Sequence, residues 1–301
     1  MRIAVWIVLC LIWGTTWFFI KVGLRDLPPV TFAAARFVLA VSILFPVILV
    51  MRLRMPKTRR EWRLIALTGF LQFSLNYSAV FWSEQYISSG LASVLQAMIT
   101  VFGLVLAWFF LPHEKITGLK IFAVAAGFTG VVVIFYDQLR VESTLAFAAC
   151  CAIVAGAYAA AQASILVKAR AGGIEPAVLV CFQMICGLPA IILYALAVEG
   201  SPLEHNWTGR AIASVLYLAV LGTIIAFWLY YWLLSKIEST RAMMISLVTP
   251  LIAVVIGAGL LGEQLPPTTL FGGILILAAT ALIALRKKRL PGEEAVMEKG
   301  G

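Results

Sequence analysis

The sequence predicts an all-α membrane protein: ten transmembrane helices in two inverted five-helix repeats, with both termini cytoplasmic. Three observations predict it. The composition is too apolar for water, ten apolar runs have membrane length, and the two halves match at a nearly constant offset. Of 301 residues, 62% are hydrophobic and 12% charged, whereas a soluble domain carries about 45–50% apolar and about 25% charged residues. That excludes a soluble enzyme, a secreted disulfide scaffold and a disordered chain.

A hydrocarbon core about 30 Å thick takes roughly 20 residues of helix. Runs of that kind fall at approximately 3–22, 30–51, 62–83, 89–111, 118–136, 145–167, 176–198, 209–234, 241–261 and 268–286. The first is too long for the apolar part of a signal peptide and is followed by Lys21 and Arg25, not by a small-residue cleavage site. Turn-forming breaks separate the later runs: Leu27-Pro28-Pro29, Met55-Pro56-Lys57, Ser88-Ser89-Gly90, Ala171-Gly172-Gly173 and Leu265-Pro266-Pro267. The links are short, so no soluble domain is inserted. Residues 287–301 are expected to form a polar, disordered cytoplasmic tail.

Orientation follows from lysine and arginine, which favour the cytoplasmic side. With the N-terminus inside, eighteen of these residues fall on the cytoplasmic side and four, Lys21, Arg25, Arg140 and Arg210, on the other. Arg36 remains within a span. An odd number of spans would put one of the two largest basic clusters outside. The net charge of +9 is therefore a topology signal rather than a nucleic-acid footprint. The five cysteines, Cys10, Cys150, Cys151, Cys181 and Cys186, lie in apolar runs and read as small core residues. No disulfide, metal site or cofactor is implied.

The halves repeat. Ser89-Gly90-Leu91-Ala92 and Ser239-Thr240-Arg241-Ala242 stand 150 positions apart, as do Phe81-Trp82 and Tyr231-Trp232, and Glu114 and Glu263 stand 149 apart. Pro29 to Arg36 lies over Pro176 to Gln183 at an offset of 147. Five spans per repeat is odd, so the halves, residues 1–137 and 145–286, must be inverted. Inverted repeats about a midplane site are a recurring device of secondary transporters.

Trp13-Gly14-Thr15-Thr16-Trp17, Gly23-Leu24-Arg25-Asp26-Leu27-Pro28-Pro29 and Ala35-Arg36-Phe37 resemble the opening of EamA-type members of the drug/metabolite transporter superfamily. Ser239-Thr240-Arg241-Ala242, Thr249-Pro250 and Leu261-Gly262-Glu263 resemble the second repeat of that family. The resemblance covers roughly residues 3–286. It implies ten helices in two inverted repeats, a central cavity, and export of amino acids or other small metabolites. The expected location is the cytoplasmic (inner) membrane, as a multi-pass protein. Two features depart from the family pattern: Pro112-His113-Glu114 stands where Gly-Glu is common, and Ile99-Thr100-Val101 where proline is common.

Polar side chains are costly in hydrocarbon and face protein or a wet cavity. Helical spacing shows which of them share a face. Span three places Gln72, Asn76 and Ser83 on one side, and span four Ser89, Ser93, Gln96, Thr100 and Gly103. Span six aligns Cys151, Ala155, Tyr158 and Gln162. Span nine aligns Met243, Ser246, Thr249, Pro250, Ala253 and Gly257, and span one Trp6, Cys10, Trp13 and Trp17 with Thr16 adjacent. Small residues at such positions also serve helix packing. The amides Gln72, Asn76, Gln96 and Gln162, with Trp13, Thr16, Trp17, Tyr77, Thr100, Tyr158, Trp228 and Ser246, make a binding surface for a small polar metabolite with an apolar part. No lysine and arginine cluster lies at midplane to hold a phosphate.

Arg36 sits about 10 Å below the outer face at 1.5 Å per residue. Asp26, Glu84 or the carbonyls of a broken helix are its candidate partners, and its role is either a tie between helices or a contact to substrate carboxylate or gate. Glu84 reads either as a coupling site or as an interfacial turn residue. Glu114 and Glu263 read as closing short turns, and Pro250 as a hinge.

The expected function is a secondary transporter exporting a small metabolite through the lipid bilayer, with no nucleic-acid partner, as a monomer or homodimer. A small-residue stripe at Ala123, Ala126, Gly127 and Gly130 fits either a dimer face or packing within one chain. A flippase for a lipid-linked headgroup and a non-transporting membrane scaffold are the alternatives. An intramembrane enzyme is not expected, because no paired acids or histidine motif lie in the spans.

Overall fold

A computed structural model of the chain describes residues 1–87, 92, 95–134, 143–261 and 267–284. Its regular structure is helical, with no strand among the described residues. The helices are α1 (Arg2–Gly23), α2 (Pro29–Val50), α3 (Arg59–Ser83), α4 (Met98–Phe110), α5 (Gly118–Ile134), α6 (Thr144–Arg170), α7 (Pro176–Val198), α8 (Gly209–Lys236), α9 (Ile245–Leu261) and α10 (Pro267–Ala284). A single turn, Ser239–Met243, precedes α9. Six of these, α1, α2, α3, α6, α7 and α8, are long and apolar enough to cross a membrane; α4 and α5 are shorter apolar helices. The expected features at Ser89, Ser93, Tyr136, Arg140, Glu263 and residues 287–301 lie outside the described residues, as do the side chains of Ala253 and Gly257.

Local chemistry sets the helix ends. Pro29 and Pro176 open α2 and α7 at the first turn, where a missing N–H costs nothing. α3 begins earlier than expected, at a capping box: Thr58 Oγ1 accepts from Glu61 N at 3.1 Å, and Glu61 Oε2 accepts from Thr58 N at 2.8 Å. α6 runs on to Arg170, with Lys168 and Arg170 in its last turn, where cations favour the helix dipole.

Two irregularities were not expected from the sequence. α3 widens into a π-helix over Phe70–Asn76, and α8 does so over Val220–Ile225. Their first residues stand 150 apart, the offset found between the halves. The ninth apolar run is interrupted at Met244, six positions before Pro250. α9 itself continues through Pro250. The carbonyl of Ser246, which a residue other than proline at 250 would bond, accepts instead from Thr249 Oγ1 at 3.4 Å.

Glycines permit the closest crossings. A Cβ at Gly69 would stand 2.3 Å from the carbonyl oxygen of Gln183, and one at Gly187 2.9 Å from that of Gly69, so α3 and α7 meet backbone to backbone. The stripe on α5 packs inside the chain: Ala123 is fully buried, Gly127 faces Leu247 and Ala279, and Gly130 faces the Gly272 carbonyl. Large apolar side chains point outward instead, among them Ile3, Ile7 and Leu11 on α1, Phe122 on α5 and Phe147 on α6. Arg36, Gln183, Asn76 and Thr223 are buried. Polar groups inside and apolar ones outside is the arrangement a lipid solvent selects.

Candidate functional site: a central cavity lined by both halves

A cavity of about 130 Å³ lies between the helices. It is smaller than the roughly 300–1,000 Å³ of sites for drug-sized ligands. From α1 it takes Trp13, Thr16 and Trp17; from α2, Arg36; from α3, Gln72, Asn76 and Tyr77. Gln96 and Ile99 add a fourth side. From the second half come Ser164 on α6, Phe227 and Tyr230 on α8, and Met243, Ser246 and Thr249 around the start of α9. The lining thus joins residues from both ends of the sequence.

The π-helical segment of α8 anchors the charged part of the wall. Thr223 Oγ1 donates to the Leu218 carbonyl at 2.8 Å and accepts from Arg36 Nε at 2.7 Å. The Gly222 carbonyl accepts from Arg36 Nη2 at 3.0 Å and from Trp13 Nε1 at 3.3 Å. The guanidinium also lies 4.8 Å from the centre of the Tyr77 ring and 5.3 Å from that of Phe37, within cation–π range. Of the partners considered for Arg36, the carbonyl of an irregular helix is the one it bonds. Asp26 instead pairs with Arg210 at 3.3 Å and accepts from Thr208 Oγ1 at 2.6 Å.

Amides and hydroxyls build another part of the wall. Gln96 Nε2 donates to Asn76 Oδ1 at 2.9 Å. Thr100 does not line the cavity but lies behind Ser246, sharing a 2.7 Å hydrogen bond with its hydroxyl and donating to the Met243 carbonyl at 2.9 Å. Trp13 packs its ring 5.4 Å from Phe227 and 5.2 Å from Tyr230, and Tyr230 donates to Ser164 Oγ at 3.1 Å.

Not every candidate converges here. Tyr158 is 43% exposed, with its ring edge on Phe102, and neither it nor Gln162 lines the cavity. α6 turns Ala160 and Ser164 inward, two positions on and therefore roughly 200° around the helix. On α8 the inward pair is Phe227 and Tyr230, three apart and on one face, whereas Trp228 points away. Glu84 follows the last residue of α3 and lines a separate recess with Pro28, Pro29, Trp82 and Glu199.

Ties at the helix ends hold this arrangement. Glu199 accepts from the amides of Val30 at 2.9 Å and Thr31 at 2.6 Å, capping α2. Glu114 closes a local turn through its backbone, its amide donating to the Leu111 carbonyl at 2.9 Å, while its carboxylate works at a distance. It reaches 125 positions along the chain to accept from the amide of Ser239 at 2.9 Å and its hydroxyl at 2.6 Å. Lys168 Nζ lies 3.9 Å from Glu114 and donates to the Leu234 and Ile237 carbonyls at 2.7 and 2.8 Å.

Long apolar helices around a small, mainly apolar cavity with a few placed polar groups fit the class of membrane carriers with a buried site. The chain belongs to the EamA-like transporter family, whose profile matches residues 1–136 and again 147–285. It is 30% identical to an uncharacterized transporter of Archaeoglobus fulgidus, over 94% of this chain and 99% of that one. It is 27% identical to the uncharacterized inner membrane transporter YedA of Escherichia coli K12, over 96% and 92%. It is 28% identical to a probable amino-acid metabolite efflux pump of the same organism, over 88% and 89%. A crystal structure 16% identical in sequence superposes with a TM-score of 0.79, covering 94% of this chain and 96% of its own, and so shares the fold. The apolar helices and these relatives fit a multi-pass protein of the inner membrane.

Proposed function

We propose that the chain is a secondary transporter that exports a small metabolite, an amino acid or a related compound, by alternating access around the central cavity. One observation carries this reading: the cavity is walled by residues from both halves, so rocking one half against the other changes which side it faces. Two separate family matches, one per half, support ten spans in two inverted repeats, residues 1–137 and 145–286. The lysine and arginine asymmetry supports cytoplasmic termini. The described lining holds no acid, histidine or cysteine to act as base or nucleophile, which favours carrying over catalysis. The relative named as a probable amino-acid metabolite efflux pump supports the substrate class.

The test is counterflow in proteoliposomes containing the purified chain and a panel of labelled amino acids. Saturable, competable exchange of at least one of them is expected. Asn76→Ala and Gln96→Ala should each weaken apparent affinity for that substrate by about tenfold, the worth of one or two hydrogen bonds. Unchanged flux and affinity in both variants would remove the cavity from the mechanism.

A further inference from the structure

Arg36 is a fixed cation without a carboxylate. It is 1% exposed yet lines the cavity. Its hydrogen bonds run from Nε to the Thr223 hydroxyl and from Nη2 to the Gly222 carbonyl, both neutral acceptors. Its other contacts are a further neutral hydrogen-bond partner, the Tyr77 hydroxyl, and the rings of Tyr77 and Phe37. Among the described residues no aspartate or glutamate lies within 4 Å of it. A guanidinium offers five N–H donors in a planar fork. The structure uses part of that fork to hold the group still and provides no countercharge for it.

The amide wall has the opposite need. Gln96 Nε2 is committed to Asn76 Oδ1, which fixes the orientation of the amide. Its Oε1 is then buried, with no hydrogen-bond donor among the described residues. A buried acceptor without a donor is destabilising, by about 1–3 kcal/mol. A ligand bearing a donor satisfies it.

We propose that the cavity selects zwitterions: the ligand's carboxylate seats on Arg36, and its ammonium donates to Gln96 Oε1. This rests on the transporter reading and narrows it. A carboxylate matches the guanidinium fork in two parallel bonds. An amine or polyamine brings a second cation to a wall that already carries one. An amino-acid amide keeps the ammonium and the side chain but lacks the countercharge.

The experiment compares each amino acid with its amide and its decarboxylated amine: leucine, leucinamide and isoamylamine, then phenylalanine, phenylalaninamide and phenethylamine, continuing through the panel. Binding is read as ligand-induced thermal stabilisation of the full chain in detergent, and transport as competition for counterflow. The free acid should bind about ten- to hundredfold more tightly than its amide or amine, the range for hydrogen bonds to a charged group. Arg36→Gln should erase that preference. Arg36→Lys should keep it at weaker affinity, and it decides the matter if Arg36→Gln does not fold. Amides or amines competing as well as the acids would overturn the proposal and leave transport standing. So would a folded Arg36→Gln, or an Arg36→Lys, that showed respectively an unchanged or an abolished preference for the acid. No movement of any compound by folded protein would overturn both this proposal and the transporter reading.

Discussion

Arg36 and Gln183 stand at matched positions in the two halves, and the structure gives them matched jobs with different chemistry. Arg36 reaches from α2 to the π-helical segment of α8. Gln183 reaches from α7 toward the corresponding segment of α3, its Nε2 donating to Thr68 Oγ1 at 2.6 Å. Each is a tie between one half and an irregular helix of the other. The π-helical segment of α8 supplies both acceptors of Arg36, Gly222 and Thr223, whereas the acceptor of Gln183, Thr68, stands in the regular helix just before the π-segment of α3. Only the Arg36 tie opens onto the cavity; Gln183 is fully buried in packed helix. The repeat therefore supplies the scaffold twice, and the charge supplies the site once.

The comparison breaks most severely where the halves touch without side chains. At Gly69 an added Cβ would meet the carbonyl oxygen of Gln183 at 2.3 Å and its Cα at 2.8 Å. Backbone cannot swing aside, so α7 as a whole would have to move. At Gly222 an added Cβ would meet Thr16 Cγ2 at 2.9 Å and Arg36 Nη2 at 3.4 Å, both ends of side chains. Gly69→Ala should cost about 3 kcal/mol or more, the upper end for overpacking, and Gly222→Ala about 1 kcal/mol. Thermal unfolding in detergent, read by loss of the monodisperse elution peak, ranks them. Equal losses would mean that α3 and α7 do not meet so closely.

The halves differ in how much of them could be read from sequence. Apolar runs, prolines at helix starts and basic clusters announced most helices, because a lipid solvent imposes length and polarity directly. Gln72, Asn76, Gln96 and Ser246 were legible as cavity residues because uncharged polar groups stand out in apolar runs. The rotation of α6 was not. Its inward face is Ala160 and Ser164 beside Gly156, whose Cβ position would lie 3.1 Å from Ala79. Small residues there let the helix approach α3, and nothing in the spacing separates that face from the one bearing Tyr158 and Gln162. Neither π-helix was legible, since a one-residue shift of register leaves no mark in composition. The partner of Glu114 was hidden for another reason: sequence separation of 125 gives no local signal.

A medium effect is expected at that glutamate, which ties the link between α4 and α5 to the single turn before α9. Glu114→Ala removes the acceptor of the Ser239 amide and hydroxyl and a carboxylate 3.9 Å from Lys168. The loss should be about 1–3 kcal/mol, the range for stranding partly buried donors. Glu114→Gln keeps an oxygen for the amide and should lose less. Unfolding midpoints in the order wild type, Gln, Ala test this; a Gln variant as damaged as Ala would make the charge, not the cap, the important part.

The smallest effect belongs to Gln183, and it sharpens the comparison most. Gln183→Leu preserves bulk at a fully buried position and removes the neutral hydrogen bonds to Thr68 and to the Tyr231 hydroxyl. Thr68 does not become an orphan, because its hydroxyl already donates to the Leu64 carbonyl at 2.7 Å. The expected destabilisation is about 0.5–1.5 kcal/mol, the range in which ordinary hydrogen bonds fall. Ligand preference should not change, since Gln183 touches neither the cavity nor Arg36. Thermal unfolding and the acid-against-amide competition, run on the same variant, separate the two readouts. A shift in ligand preference without loss of stability would mean that the second tie also reaches the site, and the division into a shared scaffold and a one-sided charge would fail.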